Sequence, residues 1–333
     1  MLAAKTIYMN LFKKRKALLL KLVDFHCDTI LRLIEQGEDT GLWENELSVD
    51  IQKLRKGNVA AQFFALYIDL AKTQTPLETC LMMLDRFYLE MDKNREHISL
   101  ATSYKEFLAN EAAGKISAFL TIEEGAALQG KLSNLRNFYR LGVRLITLGW
   151  NYPNEIGFPN AKEECRDKGL TGFGQEVVSE MNHLGMLIDV SHLSDGGFYD
   201  VARLSTQPFV ASHSNARAVT GHARNLTDEM IRILAEKGGV TGINFAKQFL
   251  GDDPELSRIA DMVRHIKYIR DIGGIEVIAI GTDFDGIKPR QEIANSGEMG
   301  KLADSLAANG FTEAEIEKIF YQNALRVIRD VLR

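Results

Sequence analysis

Apolar, β-rich runs recur along the chain and are separated by segments with helical periodicity. Eight such runs can be counted, at residues 22–28, 59–68, 116–123, 143–150, 186–192, 208–213, 239–245 and 277–283. Between them, apolar residues return every three or four positions, as in 174–184 and 256–272, which is the spacing of one helix face. Eight alternations of strand and helix predict an α/β fold, a parallel (β/α)8 barrel of the TIM type.

An open, doubly wound sheet is the structural alternative, because alternation alone does not establish closure. No Gly-x-Gly-x-x-Gly motif follows the first apolar run, as a dinucleotide-binding open sheet would require. Polar residues instead follow many of the runs, which is where a barrel carries its site. The barrel is therefore the preferred prediction.

The chain shows no internal repeat and no linker, so we predict a single domain over residues 21–333. Thr312 and Glu315 form a capping-box pattern before an apolar helical repeat, which predicts closing helices at the C-terminus. Residues 1–20 are predicted to be an N-terminal extension or surface segment. Their apolar part is too short for a signal peptide, and no stretch reaches the roughly 18 apolar residues of a membrane anchor.

The composition of the chain limits which classes of molecule it can bind and indicates its cellular compartment. The chain has 333 residues, 45% of them hydrophobic, and a formal net charge of -5, so no basic field is available for nucleic acid. Its three cysteines are few and far apart, which argues against a disulfide framework and favours a reducing compartment, the cytoplasm. The oligomeric state is left open, a homodimer being one option.

Metal-binding side chains cluster at the ends of the apolar runs. His26 and Asp28 lie two residues apart in an extended strand and therefore share one face. Further candidates end the third, fifth, sixth and eighth runs: Glu123, His192, His213 and Asp283. The carboxyl ends of parallel barrel strands meet at one rim, and three histidines with at least three carboxylates exceed what one four-coordinate zinc needs. We therefore predict two divalent metal ions, with Zn²⁺ expected, about 3.5 to 4 Å apart.

Other polar residues in the chain have weaker signals. His97, His183 and His265 are expected to be solvated, and His222 could support the site from its edge. Asp189 lies in an otherwise apolar strand and needs a partner. That partner could be the second ring nitrogen of a metal-binding histidine or a cation of the helix layer.

Several short motifs occur in a particular order. They are His26-x-Asp28, Ile122-Glu123, the run 187–192 ending in His192, Ser212-His213-Ser214, Arg224-Asn225 and the run 280–286 that contains Asp283. In this order they resemble the membrane (renal-type) dipeptidase family of zinc peptidases, from about residue 22 to the C-terminus.

The resemblance implies a (β/α)8 barrel that hydrolyses the single peptide bond of free dipeptides with a hydroxide bridging two zinc ions. Members often tolerate a D-residue at the C-terminal position. His26 and Asp28 would hold one zinc, His192 and His213 the other, and Glu123 would bridge them.

The resemblance also implies roles around the metals. Asp283 would contact the bridging water. From that place we expect it to be catalytic, taking the proton of the water and passing it to the leaving amine. Arg224 would bind the free carboxylate of the substrate, since a guanidinium pairs with carboxylates through two hydrogen bonds.

The chain departs from the family pattern around the substrate. Trp150 stands where relatives have the histidine of a Thr-His-Asn motif, while Asn151 is retained, and both are expected to contact substrate. Ala246 replaces a common tyrosine and Glu124 replaces a glycine. These departures leave the expected metal ligands whole and affect rate and substrate preference.

Two alternative functions are kept. A related binuclear amidohydrolase acting on another amide or ester, such as a lactone, cyclic amide or phosphoester, would be indicated by a carbamylated lysine on the fourth strand, where no lysine occurs. A catalytically weakened metal-binding barrel is favoured by Trp150. It is opposed by Asp283, because a structural zinc site needs no residue for water.

Overall fold

Parallel strands form the centre of the molecule. The computed structural model describes residues 20–251, 253, 255–287 and 290–332, so most of the predicted extension, residues 1–19, lies outside the described part. The strands are β1 (Leu22–Cys27), β2 (Val59–Tyr67), β3 (Ile98–Leu100), β4 (Ile116–Glu123), β5 (Val143–Thr147), β6 (Leu187–Asp189), β7 (Val210–Ala211), β8 (Val240–Ile243) and β9 (Ile278–Ile280).

Eight of these strands close into a barrel. The hydrogen-bonded order is β1, β2, β4, β5, β6, β7, β8, β9 and back to β1, and every pairing is parallel. Each of the eight predicted runs contains one of these strands, so the predicted barrel is confirmed and the open-sheet alternative is wrong.

One strand was not predicted. β3 pairs its three residues with Ile116, Ser117 and Ala118 at the start of β4 and stays outside the closed ring. Three residues between two long helices are too few for a recognisable two-residue alternation, so the hydrophobic pattern carries no signal for it.

Helices surround the barrel. They are α1 (Thr29–Gln36), α2 (Ile51–Lys56), α3 (Pro76–Lys93), α4 (Tyr104–Ala112), α5 (Leu132–Arg140), α6 (Gly172–Leu184), α7 (Asp195–Leu204), α8 (Asp228–Glu236), α9 (Lys247–Leu250), α10 (Ile259–Gly273), α11 (Gly300–Ala308), α12 (Glu313–Glu317) and α13 (Asn323–Val331). The two helical segments singled out from the sequence correspond to α6 and α10. Within the described part of the chain, no helix is both long and apolar enough to cross a membrane.

Aromatic rings from three neighbouring strands form the inner core. Phe25 lies 4.8 Å from Phe63, and Phe63 lies 4.6 Å from Phe119, measured between ring centroids. The same buried cluster includes Val327 and Ile328 of α13, so the C-terminal helix packs on this core as a closing helix. With the core filled by apolar side chains, polar groups can be held at the carboxyl ends of the strands.

The predicted capping box is present at the start of α12. The Glu315 backbone N–H donates to the Thr312 hydroxyl oxygen, and the Glu315 carboxylate accepts from the Thr312 backbone N–H. We expect Thr312→Ala to lower the free energy of unfolding by about 1 kcal/mol, measured by urea denaturation. Thr312→Ser is the matched control, since serine caps equally well. An equal loss in both variants would contradict the capping role.

Candidate active site

The predicted metal ligands converge at the carboxyl ends of the barrel strands. The ligating atoms of His26, Glu123 and His213 all lie within 4.8 Å of one another, and so do those of His26, Asp28 and Asp283. The two groups share His26. His26 belongs to β1 and Glu123 ends β4, while His213 and Asp283 follow β7 and β9 by two and three residues. Four strands around the barrel therefore contribute to one centre.

Glu123 lies between the two sides of this centre. One of its carboxylate oxygens is 3.3 Å from His26 Nε2. The other is 3.1 Å from His192 Nε2 and 3.4 Å from His213 Nε2. A carboxylate that presents one oxygen to each set of histidines is the arrangement expected of a bridging ligand.

The donor set fits a divalent cation. Three buried atoms of the centre have no hydrogen-bond partner among the described residues. They are the two ring nitrogens of His26 and Oδ1 of Asp28. Buried polar atoms without partners are costly. Imidazole nitrogens with carboxylate oxygens are the ligands that zinc takes in proteins, so these residues fit the expected metal.

The electrostatics of the centre show the same need for positive charge. Burial, together with the neighbouring carboxylates, raises the pKa of Asp28 to about 6 and that of Asp283 to about 7. Burial opposes the charge of His26, but Glu123 and Asp28 raise its pKa well above the usual value. Several buried acids thus compete for few protons, and a cation would relieve their repulsion.

The histidines on the other side are kept neutral. Burial and the nearby Arg224 lower the pKa of His192 to about 4. Burial and the charge of His26 lower the pKa of His213 well below its usual value. A neutral imidazole has a free lone pair, which is the form that binds metal.

Asp189 has a different partner from either of those expected. Its carboxylate accepts hydrogen bonds from the hydroxyls of Thr147 and Ser212, at 2.7 and 2.6 Å, and from two backbone N–H groups. The Ser212 hydroxyl in turn lies 2.7 Å from His213 Nδ1. The expected link to a histidine is therefore indirect, and no ion pair of Asp189 with the helix layer occurs within the described residues.

Arg224 is buried beside the candidate metal centre, and one of its three guanidinium nitrogens has no hydrogen-bond partner among the described residues. Its two terminal nitrogens donate to the Ser214 hydroxyl and to the His213 carbonyl, each at 3.1 Å. Its Nε is buried and has no partner among the described residues. The guanidinium is therefore fixed in place and keeps a donor for a ligand.

A cavity of about 550 Å³ opens onto this centre. Its wall includes Glu123, His192, Arg224 and Asp283 as well as Trp150 and Asn151. The Trp150 ring packs edge-on against Tyr67, with 5.0 Å between the centroids. Asn151 Oδ1 lies 3.4 Å from His192 Nδ1, a contact that leaves Nε2 of His192 directed at Glu123.

Glu124 fixes the loop that carries Trp150. Its backbone φ of 109° lies where a side chain is rarely found. Its buried carboxylate accepts from the backbone N–H groups of Ala126 and Trp150 and from the Asn154 side chain. These bonds hold the loop after β5 against the end of β4, and burial raises the pKa of Glu124 to about 7.

The remaining histidines follow the sequence expectation only in part. His183 is exposed and His97 is partly exposed, but His265 is fully buried in α10, so its predicted solvation is wrong. Its Nδ1 accepts from the Ala216 backbone N–H, and Nε2 pairs with the Leu250 carbonyl. His222 lines the cavity, and its Nδ1 accepts from the Arg224 backbone N–H.

Two functional positions were not singled out from the sequence. The Asn244 side chain donates to Asp283 Oδ2 at 2.9 Å and to the His213 carbonyl at 3.2 Å. The available signal was its position directly after a strand, the same signal that identified His213. The other position, Gly286, ends the 280–286 motif of the family resemblance, but the sequence assigns it no role, because that role depends on close approach in space.

The fold and the site together define a closed parallel barrel with a candidate metal centre at the carboxyl ends of its strands. The model of the membrane dipeptidase family, peptidase family M19, matches residues 14–333, and the chain belongs to this family.

Individual relatives are similar over most of their length. An uncharacterized Klebsiella pneumoniae protein from the pqqA 5′ region is 37% identical over 227 residues, which cover 65% of this chain and 83% of that protein. Dipeptidase aclJ of Aspergillus oryzae is 29% identical over 294 residues, covering 85% and 70% respectively. A Rhodobacter sphaeroides metallopeptidase liganded with a phosphinate mimic of the dipeptide L-Ala-D-Ala superposes with a TM-score of 0.84 at 27% identity, covering 94% and 99%.

Gly286 leaves room for two carboxylates of the centre. A Cβ at this position would lie 2.0 Å from Asp28 Oδ2 and 2.7 Å from Asp283 Oδ1. We expect Gly286→Ala to weaken zinc binding by on the order of 10- to 100-fold, measured by calorimetry, because it displaces groups that orient the centre. Gly300→Ala is the control, since nothing lies within 4 Å of its added Cβ. Unchanged zinc affinity in Gly286→Ala would contradict this reading of the geometry.

Proposed function

We propose that this protein is a metal-dependent dipeptidase that hydrolyses the peptide bond of free dipeptides, with L,L and L,D dipeptides as its substrates. The observation that carries the proposal is the pair of ligand groups sharing His26, with Glu123 between the histidines, at the base of a cavity that also holds Arg224. A cavity of about 550 Å³ suits a small molecule.

Two divalent ions, zinc by preference, are proposed as cofactors. His26 and Asp28 would hold one, His192 and His213 the other, and Glu123 would contact both. When bound, such ions lower the pKa of a coordinated water to about 7 and polarise a carbonyl.

Asp283 is proposed to move the proton of the reaction. Asn244 holds one of its carboxylate oxygens, Oδ2, while Oδ1 lies 3.9 Å from His26 Nε2 and faces the centre. The free oxygen can take a proton from the attacking water and give it to the departing amine nitrogen. A fixed carboxylate with one free oxygen suits both steps, since the same atom can first accept the proton and then donate it.

Substrate positioning is assigned to the cavity wall. Arg224 would bind the free carboxylate of the dipeptide, its unpartnered Nε being the available donor. Trp150 and Asn151 would contact the substrate beside His192. The indole replaces the family's histidine and can donate a hydrogen bond but carries no charge, so the stabilisation of negative charge on the carbonyl oxygen would depend more on the metal centre.

A relative supports the proposal that both L,L and L,D dipeptides are substrates. The Rhodobacter sphaeroides metallopeptidase holds a mimic of L-Ala-D-Ala in a fold that superposes on this one. The second candidate function, a binuclear hydrolase of another amide or ester, rests on Trp150 and Ala246, which alter the substrate side while the proposed ligands are retained.

The three cysteines are buried and unpaired, which supports the cytoplasm as the proposed location.

A substrate panel tests the proposed function. Purified protein with added zinc is assayed on free L,L and L,D dipeptides, on their N-acylated forms and on dipeptide amides. We expect cleavage of the free dipeptides and poor cleavage of the amides, because Arg224 would lose its carboxylate partner. Cleavage of neither free dipeptide type would overturn the proposal, and hydrolysis of lactones or phosphoesters instead would support the alternative.

Asp283→Asn separates proton transfer from metal binding. The amide can keep the hydrogen bond from Asn244 but cannot take a proton, so we expect bound zinc to be retained and kcat to fall about 10²- to 10⁴-fold. Metal content and steady-state kinetics are measured on the same preparation. Asp285→Asn is the control, an aspartate of the same loop held by Thr29 and the Ser48 backbone. Near-normal kcat in Asp283→Asn would show that another group moves the proton.

A further inference from the structure

Two buried aspartates on opposite sides of the barrel make the same set of hydrogen bonds. Asp24 lies in β1 and Asp189 in β6, and these strands are four places apart in either direction around the ring. Asp24 Oδ1 accepts hydrogen bonds from the backbone N–H groups of His26 and Thr282. Asp189 Oδ1 accepts from those of Ser191 and Ser212 in the same way. Asp24 Oδ2 accepts from the Thr282 hydroxyl and from the Gln62 amide of β2. Asp189 Oδ2 accepts from the Ser212 hydroxyl and from the Thr147 hydroxyl of β5.

The hydroxyl partners sit directly before residues of the site. Thr282, which precedes Asp283, donates to Asp24 from its backbone N–H at 2.9 Å and from its hydroxyl at 2.7 Å. Ser212, which precedes His213, donates to Asp189 in the same way, at 2.8 and 2.6 Å. Both carboxylates thus tie a barrel strand to the main chain of the metal centre.

The two arrangements differ in what lies beyond the hydroxyl. The Ser212 oxygen is 2.7 Å from His213 Nδ1. Among the described residues, the Thr282 oxygen contacts no imidazole nitrogen: it accepts from the Phe284 backbone N–H at 3.2 Å and lies 3.4 Å from the His26 backbone carbonyl. Only the Asp189 arrangement reaches a ring nitrogen of the metal centre.

Counting donors and acceptors places the proton on the ring. A serine hydroxyl has one hydrogen, and an aspartate carboxylate accepts without donating, so Ser212 gives its hydrogen to Asp189. The Ser212 oxygen can then only accept from His213, which requires the hydrogen on Nδ1. In that tautomer, Nε2 carries the lone pair and faces Glu123, 3.4 Å away.

We propose that Asp189, acting through the Ser212 hydroxyl, is a positioning residue that holds His213 in the tautomer whose Nε2 can bind a cation. This inference rests on the metal role proposed for His213. Partners of this kind orient ligand histidines and raise metal affinity about 10- to 100-fold.

Replacing Asp189 by asparagine should reverse the chain of hydrogen bonds. The asparagine oxygen can still accept the two backbone N–H groups, while its NH₂ group donates to the hydroxyls of Ser212 and Thr147. Ser212 is then free to donate to His213 Nδ1, which moves the ring hydrogen to Nε2 and blocks the metal-binding lone pair. Asp24→Asn is the matched control. It makes the same change at an aspartate with the same backbone and hydroxyl donors, the Gln62 amide standing in place of the Thr147 hydroxyl, and among the described residues its hydroxyl partner contacts no ring nitrogen.

The position of the ring hydrogen is read first in the full-length wild-type chain, stripped of metal and labelled with ¹⁵N-histidine, by NMR at pH 8. His213 is identified by the signal lost in His213→Asn. We expect the hydrogen on Nδ1 in the wild type and in Asp24→Asn, and on Nε2 in Asp189→Asn. A wild-type His213 protonated on Nε2 overturns the proposal, even if no variant folds.

Zinc affinity supplies the second measurement. Asp189→Asn and Ser212→Ala should each weaken one zinc equivalent by about 10- to 100-fold, and Asp24→Asn should leave that equivalent unchanged. An equal loss of zinc affinity in Asp24→Asn would show that Asp189 has a purely structural role, and it would overturn the proposal. Failure of the wild type to bind zinc or to cleave dipeptides would count against the proposed function instead, since the tautomer is read without metal.

Discussion

The structure depends on bringing several buried acids and imidazoles within contact distance of one another. His26 and Asp28 lie at the end of β1, Glu123 ends β4 and Asp283 follows β9. The first three are buried, and the Asp283 side chain is only 14% exposed. Such a cluster costs folding free energy, because desolvation and repulsion disfavour the charged carboxylates. It can persist only on rigid secondary structure. The closed ring of parallel strands provides this support, and stacked phenylalanines fill its interior.

Hydrogen bonds behind the centre keep this geometry. Asp24 and Asp189 tie neighbouring strands together, and Asn244 joins Asp283 to the backbone of His213. The chain also takes a left-handed backbone conformation at His192 and Asp283, with φ of 68° and 62°. Strain of this kind is maintained where the surroundings over-determine the conformation. The reactive groups are thus held from behind, and their free atoms face the cavity.

Much of this could be predicted from the sequence, because strand ends in a parallel barrel share one rim. The eight strands, the closing helix and the meeting of His26 with Glu123 followed from periodicity and position alone. His265 was misjudged because a helical pattern does not reveal which loop will cover a given face. No role was assigned to Gly286, because that role depends on the close approach of Asp28, which is distant in the chain, and of the Asp283 side chain. A glycine in a loop has no local signal for such an approach.

The hydrogen bonds of Glu124 have a consequence for how this chain can vary. A residue with φ of 109° is strained, and its carboxylate offsets that strain by binding the backbone of Trp150 and the side chain of Asn154. Positions 124 and 154 are therefore thermodynamically coupled, and the effects of changing both would not add. A return to glycine at 124 would relax the main chain and release the indole together with it. Engineering of this side of the cavity is therefore expected to succeed best when these residues are exchanged together.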